Sequence, residues 1–504
     1  MKLKTSTIFL LVAGLILLVF YFIVKCLHFQ RCDYSSDIFS HLQLSRDWLL
    51  GKPLFYENSY GFHNKIHNYF ANILMAPFTY FLNVYGLFIV IYGLMILGLV
   101  VVLNTLEKNG SSFQTKLLFL VFYAGPVSYF LLHNEHYGFH PEMLLLPLAV
   151  LFTNSFIQKS RWCILYALLM ILVKEDGVVV LCSCIMAFLL GRWNNRSMNN
   201  RSFLKWSVLS TILSLLIFLL GILWLKHMND SGETRMGWVL QSFQEQNLSE
   251  IISSFLYLFK LRIQLTVFIL FIILLYAGWR FAFASMVIAV PVLLLNFLAG
   301  TLYFDQGEFM IKNYFSILWC PRLSMYWAYW LSVLLVALLH QPPVIIYPQF
   351  IRTLACVVYG IIVFKFQHYF FINCYVTRFD IVENMREVFK PNTEFELIPE
   401  FVESASIAKQ LPEHYPVAPM YRVFGAFYKQ DIVWLNSLST AWFPPRMIIA
   451  GYNKDEVPDV TKIMKHPYFM NYKERLYIYT EVEDTVFVSK AGIIGEWVEV
   501  RMKE

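Results

Sequence analysis

Two short polar motifs, each at the end of an apolar run, hold the side chains best suited to chemistry. Residues 133–142 include His140 and Glu142, and the triplet Lys174-Glu175-Asp176 ends a later apolar run. Imidazole and carboxylate groups transfer protons, and a lysine ammonium binds phosphate. Ionisable groups beside a hydrocarbon span are costly unless they face protein, water or a ligand. The two motifs therefore predict a functional site at one end of the apolar segments.

The first motif has two interpretations. His136 and His140 are four residues apart, a helical spacing that suits two metal ligands, but Gly138 and Pro141 disfavour a continuous helix there. Alternatively, Pro141 and Glu142 begin a helix, since proline suits the first position and an acid suits the first turn. His140 would then bind an anionic group near the helix N-terminus, or the segment would only cap the helix.

The second motif also has two interpretations. Lys174 and Glu175 can form an internal ion pair with a structural role. Alternatively, Lys174 binds a phosphate while Glu175 and Asp176 position it or hold a cation. A divalent cation is compatible with these acids, but its identity does not follow from the sequence.

A third group of polar residues lies in the loop after the first apolar segment. Asp37 precedes an apolar pattern that predicts a short helix. Its carboxylate is either an ordinary helix N-cap or a general base that deprotonates a sugar or lipid hydroxyl. It could also hold a divalent cation through oxygen.

The composition identifies the elements that must position these groups. The chain is 58% hydrophobic and 15% charged, whereas soluble proteins average about 45–50% apolar and about 25% charged residues. This difference predicts a polytopic membrane protein in the inner or plasma membrane. Nucleic-acid binding is excluded, because the net charge of +6 is not gathered into a basic block.

Apolar segments and basic turns predict the topology. Residues 1–372 contain about eleven predicted transmembrane helices, with a cytoplasmic N-terminus. The long first external loop covers residues 28–68, and an interfacial helix follows at residues 69–84. The two motifs and residues 373–504 are then extracytoplasmic. The tail is more polar and long enough for a small α/β domain. The predicted fold is thus predominantly α-helical, with a C-terminal extracytoplasmic α/β domain.

The motifs resemble a known family. Tyr137-Gly-Phe-His140-Pro-Glu142 and Leu172-Val-Lys174-Glu175-Asp176-Gly177 resemble two motifs of the domain-of-unknown-function-2079 family of multi-pass membrane proteins. That family resembles GT-C glycosyltransferases, which use lipid-phosphate sugars. The likeness extends to Asp37, Gln43, His67, Tyr314 and the tail, although Phe39 stands where the family pattern has a small residue.

The resemblance implies an integral membrane glycosyltransferase that moves a sugar from a polyprenyl-phosphate donor to an unidentified extracytoplasmic acceptor. Asp37 would be the catalytic residue. The residues implied in substrate binding are Gln43, His67, His140, Glu142, Lys174, Glu175, Asp176 and Tyr314. Two other functions remain open: a transporter or flippase of a lipid-linked or anionic solute, and a non-catalytic scaffold. The scaffold predicts that the two motifs are occupied by internal salt bridges.

Overall fold

A computed structural model describes the chain over the segments that carry most of the predicted site. These are residues 4–30, 37–58, 61–63, 67–133, 138–193, 269–293, 320–339, 411–419 and 421–432, with isolated positions and shorter stretches elsewhere. The statements below concern these residues.

The described part of the chain is predominantly helical, and three of its segments are long and apolar enough to cross a membrane. They are α1 (Thr5–Gln30), α4 (Val84–Lys108) and the segment Phe113–Leu132. The last is divided at Gly125 into α5 (Phe113–Ala124) and α6 (Pro126–Leu132). Proline at the first position of α6 lacks the N–H that would continue the preceding helix. These segments agree with the predicted first three spans, whereas the total of eleven remains a prediction.

Shorter helices complete the described part of the bundle. They are α2 (Asp37–Arg46), α3 (Ala71–Leu82), α7 (Leu145–Ile157), α8 (Trp162–Val173), α9 (Gly177–Trp193), α10 (Trp279–Ile288) and α11 (Cys320–Leu339).

Helix α7 is the centre of the bundle. It packs against α4, α8 and α11, and every residue from Leu145 to Phe156 is buried. A helix that is apolar on all its faces is surrounded either by other helices or by lipid, and the burial of α7 shows that here other helices surround it. The 3₁₀ turn Pro141–Leu144 directly precedes α7, so the first polar motif is attached to the most enclosed helix.

Helix α3 has two different faces. Its inner face, which includes Asn72 and Met75, is buried, whereas Leu74, Phe78 and Phe81 are exposed on the other. The exposed apolar residues recur three or four positions apart, as in a helix that lies along an apolar surface. Its helical structure agrees with the sequence prediction, and its position at the membrane interface remains a prediction.

Short strands form two small sheets. In the first loop, β1 (Tyr56–Glu57) and β2 (Gly61–Phe62) pair antiparallel. The tail has a parallel sheet of order β4-β3-β5-β6. Its strands are β3 (Pro416–Pro419), β4 (Asp431–Ile432), β5 (Met447–Ile449) and β6 (Ile478–Tyr479).

The short apolar run at residues 418–427 predicts a strand from its sequence, but only its first two residues belong to one. Strand β3 ends at Pro419, and Tyr421–Phe427 forms a 3₁₀ helix. Proline cannot donate to a strand ladder, which explains the end of β3 at this residue. The division into domains at residues 372 and 373 remains a prediction.

Candidate functional site

The two polar motifs meet in one buried ion-pair cluster. Lys174 follows the last residue of α8, and its Nζ donates to Glu142 Oε1 at 2.8 Å. The same ammonium lies 3.4 Å from Asp176 Oδ2. The Glu142 side chain is fully buried and that of Lys174 is 2% exposed, whereas that of Asp176 is 15% exposed. Each motif thus supplies a charge that the other must neutralise in a medium of low polarity.

His140 connects this ion pair to a phenol. Its Nδ1 is hydrogen-bonded to Glu142 Oε2, and its Nε2 lies 3.4 Å from the Tyr69 hydroxyl oxygen. A carboxylate at Nδ1 selects the tautomer with the proton on that nitrogen, which leaves Nε2 as an acceptor. Burial lowers the pKa of His140, against the opposing effect of the Glu142 charge. A neutral imidazole of this kind can accept a proton.

The segment before α3 binds the second motif through Glu175. His67 Nδ1 and Glu175 Oε1 are 2.6 Å apart, and the Asn68 backbone N–H donates to Glu175 Oε2 at 3.1 Å. Glu175 therefore pairs with His67, whereas Lys174 pairs with Glu142. This differs from the internal Lys174–Glu175 pair considered from the sequence.

Tyr69 is the common neighbour of four imidazole rings. Its ring centroid lies 5.0 Å from that of His41, 5.4 Å from His63, 5.1 Å from His67 and 5.6 Å from His140. Lys174 Nζ is 5.7 Å from the same centroid. The phenol is therefore surrounded by groups that can exchange protons or carry positive charge.

Each of these imidazoles faces a polar side chain through Nδ1. The partners of His67 and His140 are Glu175 and Glu142, as described above. Asn72 Nδ2 is 3.2 Å from His41 Nδ1, and Glu57 Oε1 is 3.9 Å from His63 Nδ1. The hydrogen-bonded partners of His41, His67 and His140 fix the orientation of these rings, as second partners of functional imidazoles do, whereas the 3.9 Å between Glu57 and His63 is too long for a hydrogen bond.

His41 is a neutral member of the cluster. Burial lowers its pKa well below the ordinary value, and the charges of His140 and His63 act in the same direction. Its ring centroid is 4.9 Å from that of His140, in an edge-on arrangement. The interior of the cluster thus favours uncharged imidazoles.

Asp37 lies in the first turn of α2, four residues before His41. Residues four apart on a helix are neighbours on one face, with about 5–6 Å between their Cβ atoms. The side chain is half-buried. The loop before His140 packs against the same turn: a Cβ atom at Gly138 would lie 2.6 Å from Tyr34 and 3.0 Å from Ile38, and its φ is +59°. Asp37 is therefore adjacent to the cluster.

Two of the predicted substrate-binding residues cannot be assigned to the cluster around Tyr69. Gln43 donates to the Ile432 carbonyl at 2.7 Å and accepts from the Asn58 backbone N–H at 2.8 Å, so it joins α2 to the tail. Tyr314 lies outside the described residues. The same is true of His136, and with it of the suggested His136–His140 metal pair.

A separate charged cluster joins the first loop to the tail. Among the described residues, Asp47, His414 and Asp431 bring potential metal ligands within 4.8 Å of one another. However, Lys52 Nζ lies 2.8 Å from Asp47 Oδ2 and 2.6 Å from Asp431 Oδ2. Arg46 also pairs with both acids. We call these five residues the tail cluster, and their two permanent cations already balance the two carboxylates.

Sequence reasoning did not assign a role to His41 or Tyr69. The signals available were weak, since His41 is simply four residues after Asp37, and Tyr69 follows His67 by two positions. Only the packing of α2 and α3 against the two motifs brings these rings together.

Comparison with known proteins gives the family of the chain. No curated protein and no solved structure is detectably similar to it. The family model DUF2079, described as a predicted membrane protein, matches residues 40–418, which is more than half of the chain. This range includes both polar motifs and the segment with His67 and Tyr69 before α3, but it begins three residues after Asp37. The chain therefore belongs to the DUF2079 family of predicted membrane proteins.

Proposed function

We propose that the chain is an integral membrane glycosyltransferase that moves a sugar from a polyprenyl-phosphate donor to an extracytoplasmic acceptor. The observation that carries the proposal is the buried cluster of Glu142, Lys174 and His140 beside the turn that holds Asp37. Transfer of a sugar to a hydroxyl requires a base for the acceptor and positive charge for the departing phosphate.

In this mechanism Asp37 is the base. It is half-buried at the start of α2, so its carboxylate is reachable by an acceptor yet partly shielded from water. His41, four residues further along α2, is buried and neutral. The proton of the acceptor hydroxyl would pass to Asp37 as the new glycosidic bond forms.

Lys174 supplies the charge for the donor phosphate. Glu142 is fully buried and remains paired with Lys174, whereas Asp176 is partly exposed and lies farther from the ammonium. An incoming phosphate would therefore replace Asp176 rather than Glu142. Glu175 and Asp176 also offer oxygen ligands of the kind that a divalent cation prefers, and such a cation would bind the phosphate as well.

One observation favours the non-catalytic scaffold as a second candidate. Glu142 and Lys174 neutralise one another inside the protein, as a scaffold predicts for these motifs. A structural ion pair, however, needs only two opposite charges. The four imidazoles around Tyr69 exceed this need, which is why we place catalysis first.

The direct test is sugar transfer by the purified protein in liposomes that contain polyprenyl-phosphate-linked sugars. Asp37→Asn should lower the rate by about 10²–10⁴-fold, the range typical of a lost general base. The matched control is Glu413→Gln, because Glu413 is an exposed carboxylate of the tail. Unchanged transfer in Asp37→Asn would remove Asp37 from the mechanism. Absence of transfer by the wild-type protein with every donor would refute the function.

A further inference from the structure

We propose that the tail, through residues 421–432, holds α2 in its catalytic position, and that Gln43 is the positioning residue of this contact. This role rests on the proposed glycosyl transfer, in which Asp37 of α2 is the base. It replaces the substrate-binding role that the family resemblance implies for Gln43, because both ends of this side chain already bind protein.

Helix α2 is short but almost fully buried. It has ten residues, whereas isolated helices shorter than about 12–15 residues are marginal in water. Every residue from Ile38 to Arg46 is nevertheless buried, so the surroundings of α2 hold it as a helix. The position of Asp37 in its first turn therefore depends on what packs against the helix.

One face of α2 contacts the tail. Phe39, Gln43 and Arg46 recur at intervals of four and three positions, which places them in one stripe along the helix. The Phe39 ring centroid lies 5.8 Å from that of Phe424, and Gln43 Nε2 donates to the Ile432 carbonyl at 2.7 Å. Arg46 Nη2 lies 3.8 Å from the carboxylate at the start of β4. The whole stripe is thus covered by the tail.

The opposite face of α2 carries the residues of the site. Asp37 and His41 are four positions apart and share this face, and His41 is about 200° of helical rotation from Gln43. The His41 ring centroid is 4.9 Å from that of His140. Helix α2 therefore lies between the tail and the cluster around Tyr69, and its rotation sets the direction of the Asp37 carboxylate.

The amide of Gln43 joins three segments. Besides the bond to Ile432, its Oε1 accepts from the Asn58 backbone N–H at 2.8 Å. Asn58 Nδ2 lies 3.4 Å from the same Ile432 carbonyl, and all three residues are buried. A buried amide is held in the orientation that pairs its donor and its acceptor. Gln43 therefore fixes the rotation of α2 relative to β4 and the first loop.

This rotation matters for the proposed reaction. A general base acts only within hydrogen-bond reach of the proton that it takes, and a displacement of about 1 Å can lower a rate by about 10²-fold. Loss of the amide at Gln43 should therefore lower kcat. The KM for the lipid-linked donor should not change, because the proposed phosphate-binding Lys174 belongs to another segment.

The experiment compares the full-length wild-type protein with Gln43→Met in liposomes that contain polyprenyl-phosphate-linked sugars. Methionine has a similar length but lacks the amide, so we expect kcat to fall by up to about 10²-fold at constant KM. The matched control is Gln430→Met, since Gln430 is also 3% exposed and its amide donates within the tail, to the Ala408 and Pro412 carbonyls. It should leave kcat per folded molecule unchanged.

A second variant changes the tail and leaves the sequence of α2 intact. Phe424→Leu removes the ring contact with Phe39, so it should lower kcat in the same direction and by a smaller factor. Amide hydrogen exchange of residues 37–46 measures the local stability of α2 without any sugar transfer. We expect faster exchange in Gln43→Met and Phe424→Leu than in wild-type protein and Gln430→Met.

These measurements separate the outcomes. Lower kcat at constant KM, with faster exchange of α2, supports the proposal. A raised KM with unchanged kcat would show that Gln43 binds substrate directly, and it overturns the positioning role, as does no change in either constant. If wild-type protein transfers no sugar, the proposed function fails. Exchange then decides alone: faster exchange in Gln43→Met supports the hold of the tail on α2, and unchanged exchange overturns it.

Discussion

Two buried ion-pair networks lie toward opposite ends of α1, and only one resembles a functional site. At the first end, Lys116 Nζ donates to Glu107 Oε2 and to Thr7 Oγ1. At the other end is the cluster around Tyr69, reached through α2. Phe29, near this second end of α1, packs against Phe39 of α2. Thr7 and Phe29 are about 33 Å apart along α1, at 1.5 Å per residue.

The networks differ in how many segments and titratable groups they contain. Glu107 and Lys116 lie nine positions apart, at the turn between α4 and α5, and their other partners, Thr7 and Lys4, lie at or just before the start of α1. The cluster around Tyr69 draws on α2, the segment before α3 and both polar motifs, and it includes several imidazoles. A buried ion pair by itself is thus weak evidence of function, whereas an excess of proton-transferring groups from distant segments indicates a site.

Lys174→Met should have the largest effect. It leaves the Glu142 carboxylate buried beside a neutral side chain, which costs about 3–5 kcal/mol of unfolding free energy. Chemical denaturation in detergent measures this loss. The double variant Glu142→Gln/Lys174→Met removes both charges and should recover most of the stability without recovering sugar transfer. Recovery of transfer would mean that the pair is only structural, like the network at Glu107.

The imidazoles should make stability depend on pH. Burial lowers the folded-state pKa of His41 and His140 below the ordinary value of 6.5. Below pH 6.5 the unfolded chain therefore binds more protons than the folded one, and stability falls as the pH decreases, by up to about 1.4 kcal/mol per pH unit for each histidine. His41 faces His140, His63, Glu142 and Lys174.

Unfolding measured from pH 7.5 to pH 5.5 should show this dependence, and His41→Asn should reduce it. The matched control is His414→Asn in the tail cluster, a partly exposed histidine. An equal slope in wild-type protein and His41→Asn would contradict the assignment of a neutral buried imidazole.

Lys116→Met should have a smaller effect than Lys174→Met. The network includes the exposed Lys4, which lies 3.7 Å from Glu107 and can still balance its charge. Because Glu107 keeps one cation, we expect to lose only the hydrogen bonds to a charged group, about 1.5–3 kcal/mol. Sugar transfer per folded molecule should not change. A loss of transfer at constant folded fraction would show that the two ends of the bundle are coupled.

Lys52→Met should have the smallest effect. It removes one cation between Asp47 and Asp431, while Arg46 still pairs with both acids. Both carboxylates keep a cationic partner, so we expect a loss of about 0.5–1.5 kcal/mol, the net contribution of a typical hydrogen bond, detected as faster proteolysis of residues 411–432. Unchanged proteolysis would mean that the aromatic and backbone contacts hold the tail without this ammonium.

The sequence predicted the helices of the described bundle better than the contacts within the site. Hydropathy located α1 and α4 because a membrane solvates only apolar side chains over a helix of this length. It did not reveal the break at Gly125. The sequence also gave no reason why residue 39 is a large aromatic side chain. In the structure, Phe39 packs against Phe424 of the tail, with ring centroids 5.8 Å apart.

By itself, the sequence determined that this is a multi-helix membrane protein with two charged motifs at the ends of apolar runs, because composition and periodicity are local properties. Only the tertiary structure decided which charges are partners. Lys174 pairs with Glu142, 32 positions away, rather than with the adjacent Glu175, which binds His67. Pairing depends on which side chains are buried in the same place, and the packing of α2, α3, α7 and α8 sets that arrangement.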